Sequence, residues 1–211
     1  MTVICSLKFQ EGIVMGADSR MTNIYDEYLV NDNAEKLFFI KDNTIGISCC
    51  GDASIDGKSI AAFIREFDIK ESRACNSVSD IADRLIEYGK INKDRNITFH
   101  ICGYSDDNQE CYIIQNWQRK ELISGSAKYG IKYNGQIEAI KYLFGEDKNA
   151  EFDLDKLNLK DGIELIEYLI DLTIKYKRFK SNVNPDCGGP IDILVITQNS
   201  CEFINHKIFK Q

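Results

Sequence analysis

Two strand-forming runs at the start of the chain constrain its fold more than any other stretch. Thr2 to Phe9 and Ile13 to Arg20 flank the turn Gln10-Glu11-Gly12, the spacing of a β-hairpin. In the first run Val3, Cys5, Leu7 and Phe9 share one face, with Thr2, Ser6 and Lys8 on the other. In the second, Ile13-Val14-Met15-Gly16-Ala17 is continuously apolar, which predicts a strand buried on both faces. That strand delivers Asp18 and Arg20 to its end, where a charged pair is costly to bury unless it is used.

The residue that opens the hairpin has chemical content. Initiator methionine is usually removed before a small residue, and residue 2 is a threonine. Processing would leave Thr2 with a free α-amine, whose pKa of ~7.7–8.0 suits a general base. One residue then carries both a hydroxyl nucleophile and the base that activates it. Position two alone favours the plainer reading, an ordinary second residue, so the rest of the chain must decide.

At 211 residues the chain is expected to form a single domain, 1–211, with a sizeable core. A net charge of −7 and the lack of a basic cluster argue against a nucleic-acid partner. No apolar run approaches the ~20 residues that span a bilayer, so neither a membrane partner nor a signal peptide is expected. The expected location is the cytoplasm. Of eight cysteines, Cys5, Cys49, Cys50, Cys102, Cys111 and Cys201 fall in apolar strand-like runs, where a free thiol is a small hydrophobe. There is no C-x-x-C pair, and His100 and His206 lie in strand-like segments, so no metal or other cofactor is expected.

The remaining pattern alternates hairpins with helix pairs. A short extended piece is expected at Tyr28-Leu29-Val30, then a second hairpin from Lys36–Ile40 and Thr44–Cys50 around Lys41-Asp42-Asn43. Ile60, Ala61, Phe63, Ile64 and Phe67 form a helical stripe, and Ser77 or Ser79 can cap a helix carrying Val78, Ile81, Ala82, Leu85 and Ile86. Strands follow at Ile97–Tyr104 and Cys111–Ile114, with a further short one at Leu122-Ile123. Helices are expected at Gly135–Phe144 and Leu159–Tyr176, the second with a wide apolar face that includes Tyr168. A polar loop from Lys177 to Pro190 precedes a closing hairpin, Ile191–Thr197 and Cys201–Ile208. These elements predict an α+β fold, a four-layer αββα sandwich of two mainly antiparallel sheets.

Six short motifs in order carry a resemblance. They are Thr2 with Gly16-Ala17-Asp18-Ser19-Arg20, Ala34-Glu35-Lys36, Cys50-Gly51-Asp52-Ala53, Gly103-Tyr104, Ser124-Gly125-Ser126, and Gly188-Gly189-Pro190-Ile191-Asp192. Together they resemble the proteasome β-subunit family of N-terminal nucleophile (Ntn) hydrolases and the bacterial proteasome-like threonine hydrolases. The resemblance implies that Thr2 is the nucleophile, Lys36 the catalytic lysine and Asp18 the carboxylate that orients it. It implies Gly51 as the oxyanion-hole glycine and Ser124 as a hydrogen-bonding neighbour of the terminal amine. Arg20 corresponds to a structural arginine.

One stretch departs from the family pattern, Asp-x-x-Ser-Gly-Gly. This chain has Asn184-Pro185-Asp186-Cys187-Gly188-Gly189, with Cys187 at the serine position and Asn184 at the aspartate position. Either Asp186 substitutes by a local shift or the supporting carboxylate is lost. By the same alignment Met21, Thr22, Ala34, Cys49 and Ala53 line the substrate pocket; none is charged, which predicts acceptance of hydrophobic side chains. The implied function is a threonine endopeptidase acting on peptides or unfolded proteins in a homo-oligomeric ring, which an ATP-dependent unfoldase or cap could feed. Two alternatives remain: an Ntn amidohydrolase acting on a small amide, and a non-catalytic ring subunit. The joint presence of Thr2, Asp18 and Lys36 argues against the latter, as does the lack of a helical pattern before the first strand.

Overall fold

The computed structural model describes residues 2–22, 29–90, 94–123, 125, 127–144, 152–180 and 185–207. The opening hairpin forms as the pattern predicts, from β1 (Val3–Phe9) and β2 (Gly12–Ala17), with Ile4 opposite Ala17 and Phe9 opposite Gly12. Every residue of β2 is buried, because one face meets helices and the other a second sheet. A two-stranded piece follows, β3 (Met21–Thr22) with β4 (Leu29–Asn31). The second hairpin joins β5 (Leu37–Ile40) to β6 (Ile45–Gly51). Its turn residues Lys41, Asp42 and Asn43 all hold positive φ, with Asn and Asp among the side chains that tolerate it best.

A small ribbon, β7 (Ser54–Ile55) and β8 (Lys58–Ser59), leads into α1 (Ile60–Lys70) and α2 (Val78–Gly89). Ser59 and Ser77 cap these helices, accepting from the Ala62 and Asp80 amides. Then come β9 (Ile97–Ser105), β10 (Asn108–Gln115), β11 (Gln118–Glu121) and β12 (Gly130–Gly135). Helices α3 (Glu138–Phe144) and α4 (Leu159–Phe179) precede the last hairpin, β13 (Asp192–Ile196) and β14 (Cys201–Asn205). Asn158 and Asp161 close a capping box on α4.

The strands assemble into two five-stranded antiparallel sheets, ordered β12-β1-β2-β13-β14 and β11-β10-β9-β6-β5. Three apolar layers hold them. Phe63, Ile64, Phe67, Ile81 and Leu85 of α1 and α2 pack on Ile47, Phe99 and Ile101 of the second sheet. Ile166, Leu169 and Ile170 of α4 pack on Val3, Cys5, Leu7 and Val14 of the first. Ile4, Met15, Leu37, Cys102 and Leu194 fill the space between the sheets. The architecture is the expected α+β, four-layer αββα sandwich. All eight cysteines are free thiols, and no helix among the described residues is long and apolar enough to cross a membrane.

Several local expectations change. Leu122-Ile123 is not a strand; the strand is Gln118–Glu121, whose four residues are all exposed and so carry no apolar period. β12 was not expected. It is an edge strand with only Ile131 and Tyr133 to signal it, and its use of Gly135 delays α3 to Glu138. α4 runs on to Phe179, so Lys177 is a buried helical residue rather than the start of a loop, whereas Tyr168, expected on its apolar face, is 50% exposed. His206 falls just beyond β14 rather than within it.

Candidate active site

At one end of the sandwich, β1 begins, β2 ends and β6 ends. A cavity of about 360 Å³ opens there, with the N-terminus of α1 as its far wall. The expected pocket residues Met21, Thr22, Ala34, Cys49 and Ala53 all line it, together with Thr2, Lys36 and Gly51. Five stretches of chain meet around it: Thr2, Arg20–Thr22, Asn33–Lys36, Cys49–Ala53 and the start of α1.

Asp18 organises the site from behind. It is fully buried, and all its bonding directions are filled. Its Oδ1 accepts from Lys36 Nζ at 2.9 Å and from the Val3 amide at 3.0 Å. Its Oδ2 accepts from the Gly188 amide at 3.0 Å and the Arg20 amide at 3.2 Å. One carboxylate oxygen therefore joins the lysine to the peptide unit beside Thr2. Lys36 also donates to the Arg20 carbonyl at 2.5 Å, so its ammonium is held on two sides. A buried charge pair is tolerable only when so well hydrogen-bonded.

Gly51 ends β6 with φ +116°, and a Cβ there would stand 2.0 Å from the Asn96 carbonyl oxygen. No other residue fits. Cys49 and Cys50 flank the cavity as protonated thiols: burial pushes the Cys50 pKa up to about 12 and that of Cys49 higher still. Neither offers a thiolate near neutral pH.

Arg20 does not pair with the side chain of Asp18. Its guanidinium forks onto Asp32, at 2.6 and 2.8 Å, and its third nitrogen donates to the Pro185 carbonyl at 3.1 Å. That hydrogen bonding raises the Arg20 pKa and holds the Asp32 carboxyl below its ordinary range. The Gly188-Gly189 pair lets the 185–190 loop pass close to this fork. Gly189 has φ +74°, and a Cβ on it would lie 2.6 Å from the Asp32 carbonyl oxygen.

The departing stretch of the sequence divides. Ser124 and Asn184 lie outside the described residues. Asp186 and Cys187 are buried but do not line the cavity. Asp186 faces Lys177 of α4, Nζ to Oδ2 3.8 Å, with no hydrogen bond to either oxygen among the described residues. Cys187 packs in the α4-side core, and burial foremost, with Asp18 and Asp186 adding, drives its thiol pKa up. What the loop brings to the site is backbone: the Gly188 amide for Asp18 and the Pro185 carbonyl for Arg20. Sequence reasoning missed both contacts because a backbone group carries no residue signature; it missed Asp32 because an isolated loop aspartate looks solvated. Among the described residues no group of three His, Cys, Asp or Glu side chains could hold a metal ion.

The chain is 26% identical to proteasome subunit beta type-1 of Saccharomyces cerevisiae over 208 residues, covering 95% of this chain and 86% of that protein. No family model matches it. The similarity is distant and proteasome-like, and it runs through nearly the whole chain.

Proposed function

We propose that the chain is a threonine-type peptidase. The observation that carries this reading is the shared carboxylate: Asp18 Oδ1 holds Lys36 and the Val3 amide together on the wall of an open cavity, beside Thr2. Thr2 becomes competent once its α-amine is free, which requires loss of Met1 and of anything before it. The amine then takes the hydroxyl proton, and Oγ attacks the scissile carbonyl carbon. The Lys36 ammonium favours the alkoxide and disfavours protonation of the neighbouring amine. The Gly51 amide is the donor for the developing oxyanion, a contribution typically worth ~3–4 kcal/mol. The amine returns its proton to the leaving nitrogen, and water then hydrolyses the Thr2 ester.

Met21, Ala34, Cys49 and Ala53 form an uncharged patch of a lining that also carries Arg20, Glu35, Lys36, Asp52 and Arg65, and that patch supports cleavage after hydrophobic residues. The substrate would lie extended, adding as a strand between the segments after Arg20 and after Gly51. Similarity to a protein named as a proteasome subunit supports work as one subunit of a ring. With Met1 attached the amine is tied up in a peptide bond and the chain is inactive. Intact mass gives the processing state. In the processed form, Thr2→Ala lowers hydrolysis of hydrophobic fluorogenic peptides by at least ~1000-fold. Equal rates in the two proteins would remove Thr2 from the mechanism.

A further inference from the structure

We infer that Lys207 is a positioning residue for Lys36, acting through the carbonyl of Ala34; this rests on the proposed roles of Thr2 and Lys36. Lys207 follows β14, and its side chain is only 1% exposed. Its Nζ pairs with Oδ2 of the fully buried Asp192 and donates to the Ser19 hydroxyl at 3.2 Å and the Ala34 carbonyl at 3.0 Å. Asp192 is saturated in turn. Its Oδ1 accepts from the Lys207 amide at 2.9 Å and lies 3.1 Å from His206 Nδ1.

The targets of this ammonium give it its role. Ser19 is the residue after Asp18, and Ala34 lies two residues before Lys36. The Ala34 amide donates to the Ser19 carbonyl at 2.9 Å, so the two segments are already tied to each other. Lys207 ties them a second time, from the side away from the cavity, while the Lys36 carbonyl accepts from the Cys49 amide at 2.9 Å. The backbone that carries Lys36 is thus gripped at both ends, by β6 and by a lysine from the far end of the chain. A buried ion pair contributes little net stability compared with apolar residues of similar size. Here it fixes a short segment whose side chain must be placed within about half an ångström to be productive.

Two variants test the inference: Lys207→Met, and Lys207→Met combined with Asp192→Asn, which removes both buried charges at once. Amide hydrogen exchange followed by NMR is the first readout. Ala34 and Cys49 exchange at least ~10-fold faster, while Leu7 and Val195 stay within ~2-fold. Unchanged exchange at Ala34 and Cys49 in a folded variant overturns the inference, whatever the chain hydrolyses. Kinetics is the second. With peptide substrate, kcat falls ~10- to 100-fold while KM holds within ~3-fold, as expected for a misplaced catalytic group. The acidic limb of kcat/KM moves to higher pH, because a retreating Lys36 ammonium no longer opposes protonation of the Thr2 amine. Titratable groups near Lys36 include Asp18, Asp32, Cys49, Cys50 and Cys187. An unmoved limb in an otherwise slowed variant assigns Lys207 a purely structural role and also overturns the inference. If the processed wild type hydrolyses nothing, the peptidase reading falls, and exchange alone decides the role of Lys207. If neither variant folds, the wild type decides. A sealed Lys207 ammonium gives slowly exchanging ¹⁵N-bound protons with a through-space correlation to Ala34, and their absence overturns the inference.

Discussion

Two aspartate–lysine pairs lie buried behind the same cavity, and they differ in what their lysines can reach. Lys36 pairs with Asp18 yet still lines the cavity; Lys207 pairs with Asp192 and touches only protein. A third pair, Asp186 with Lys177, stands 3.8 Å apart with no hydrogen bond on the carboxylate among the described residues. The residue types are the same in all three. Their surroundings separate a group that can meet a substrate from one that can only hold backbone, and both from one that does neither. Burial of a charge is therefore a question about its partners, not by itself a mark of chemistry.

Asp18→Asn should break the comparison most severely. It leaves Lys36 buried with a neutral partner, costing on the order of 3–5 kcal/mol, and lowers peptide hydrolysis at least ~100-fold. Denaturant titration and steady-state kinetics measure the two effects. A variant that kept wild-type turnover would place Lys36 outside the reaction.

His100 sharpens the contrast, because it is a fully buried titratable group kept neutral. The Ser6 hydroxyl lies 2.9 Å from Nδ1 and Asn134 Oδ1 lies 2.8 Å from Nε2, an arrangement that suits one donor and one acceptor nitrogen. Burial lowers its pKa from 6.5 to about 4. The unfolded chain therefore takes up the proton first as pH falls. The histidine's contribution is complete above pH 6.5, is lost between 6.5 and 4, and changes no further below that. The loss is on the order of 3 kcal/mol. Urea midpoints between pH 7 and 4.5 should fall in the native protein and much less in His100→Gln.

The smallest effect belongs to Asp186→Asn. Its oxygens have no hydrogen bonds to lose among the described residues, and Lys177 keeps Glu138 at 3.8 Å. Stability should change by less than about 1 kcal/mol, read from the same titrations. A ~100-fold loss of turnover would instead return Asp186 to the reaction.

Most of the layer structure was legible because period-2 and period-3.6 patterns report burial directly: Val3, Cys5, Leu7 and Phe9 on one face of β1, and Ile60, Phe63, Ile64 and Phe67 on one stripe of α1. The exposed or edge strands β11 and β12 were not, since such strands take their place from a neighbour's hydrogen bonds rather than from their own apolar pattern. Within the candidate site, Thr2, Asp18, Lys36 and Gly51 could be picked out by motif; the structure bonds Lys36 to Asp18 and sets Thr2, Lys36 and Gly51 on one cavity.

The sequence by itself determined the four layers and the hairpin that starts at Thr2, because each is written in local residue type and spacing; the pocket residues came from the resemblance. The resemblance already paired Asp18 with Lys36, but only the tertiary structure decided that Asp192 meets Lys207 and Asp186 meets Lys177. It turned Arg20 to Asp32, gave Asp18 the Gly188 amide, and brought Lys207 across 173 positions to the Ala34 carbonyl. Those choices depend on where distant backbone donors and acceptors come to rest, and no local pattern encodes a partner that the chain reaches only by folding.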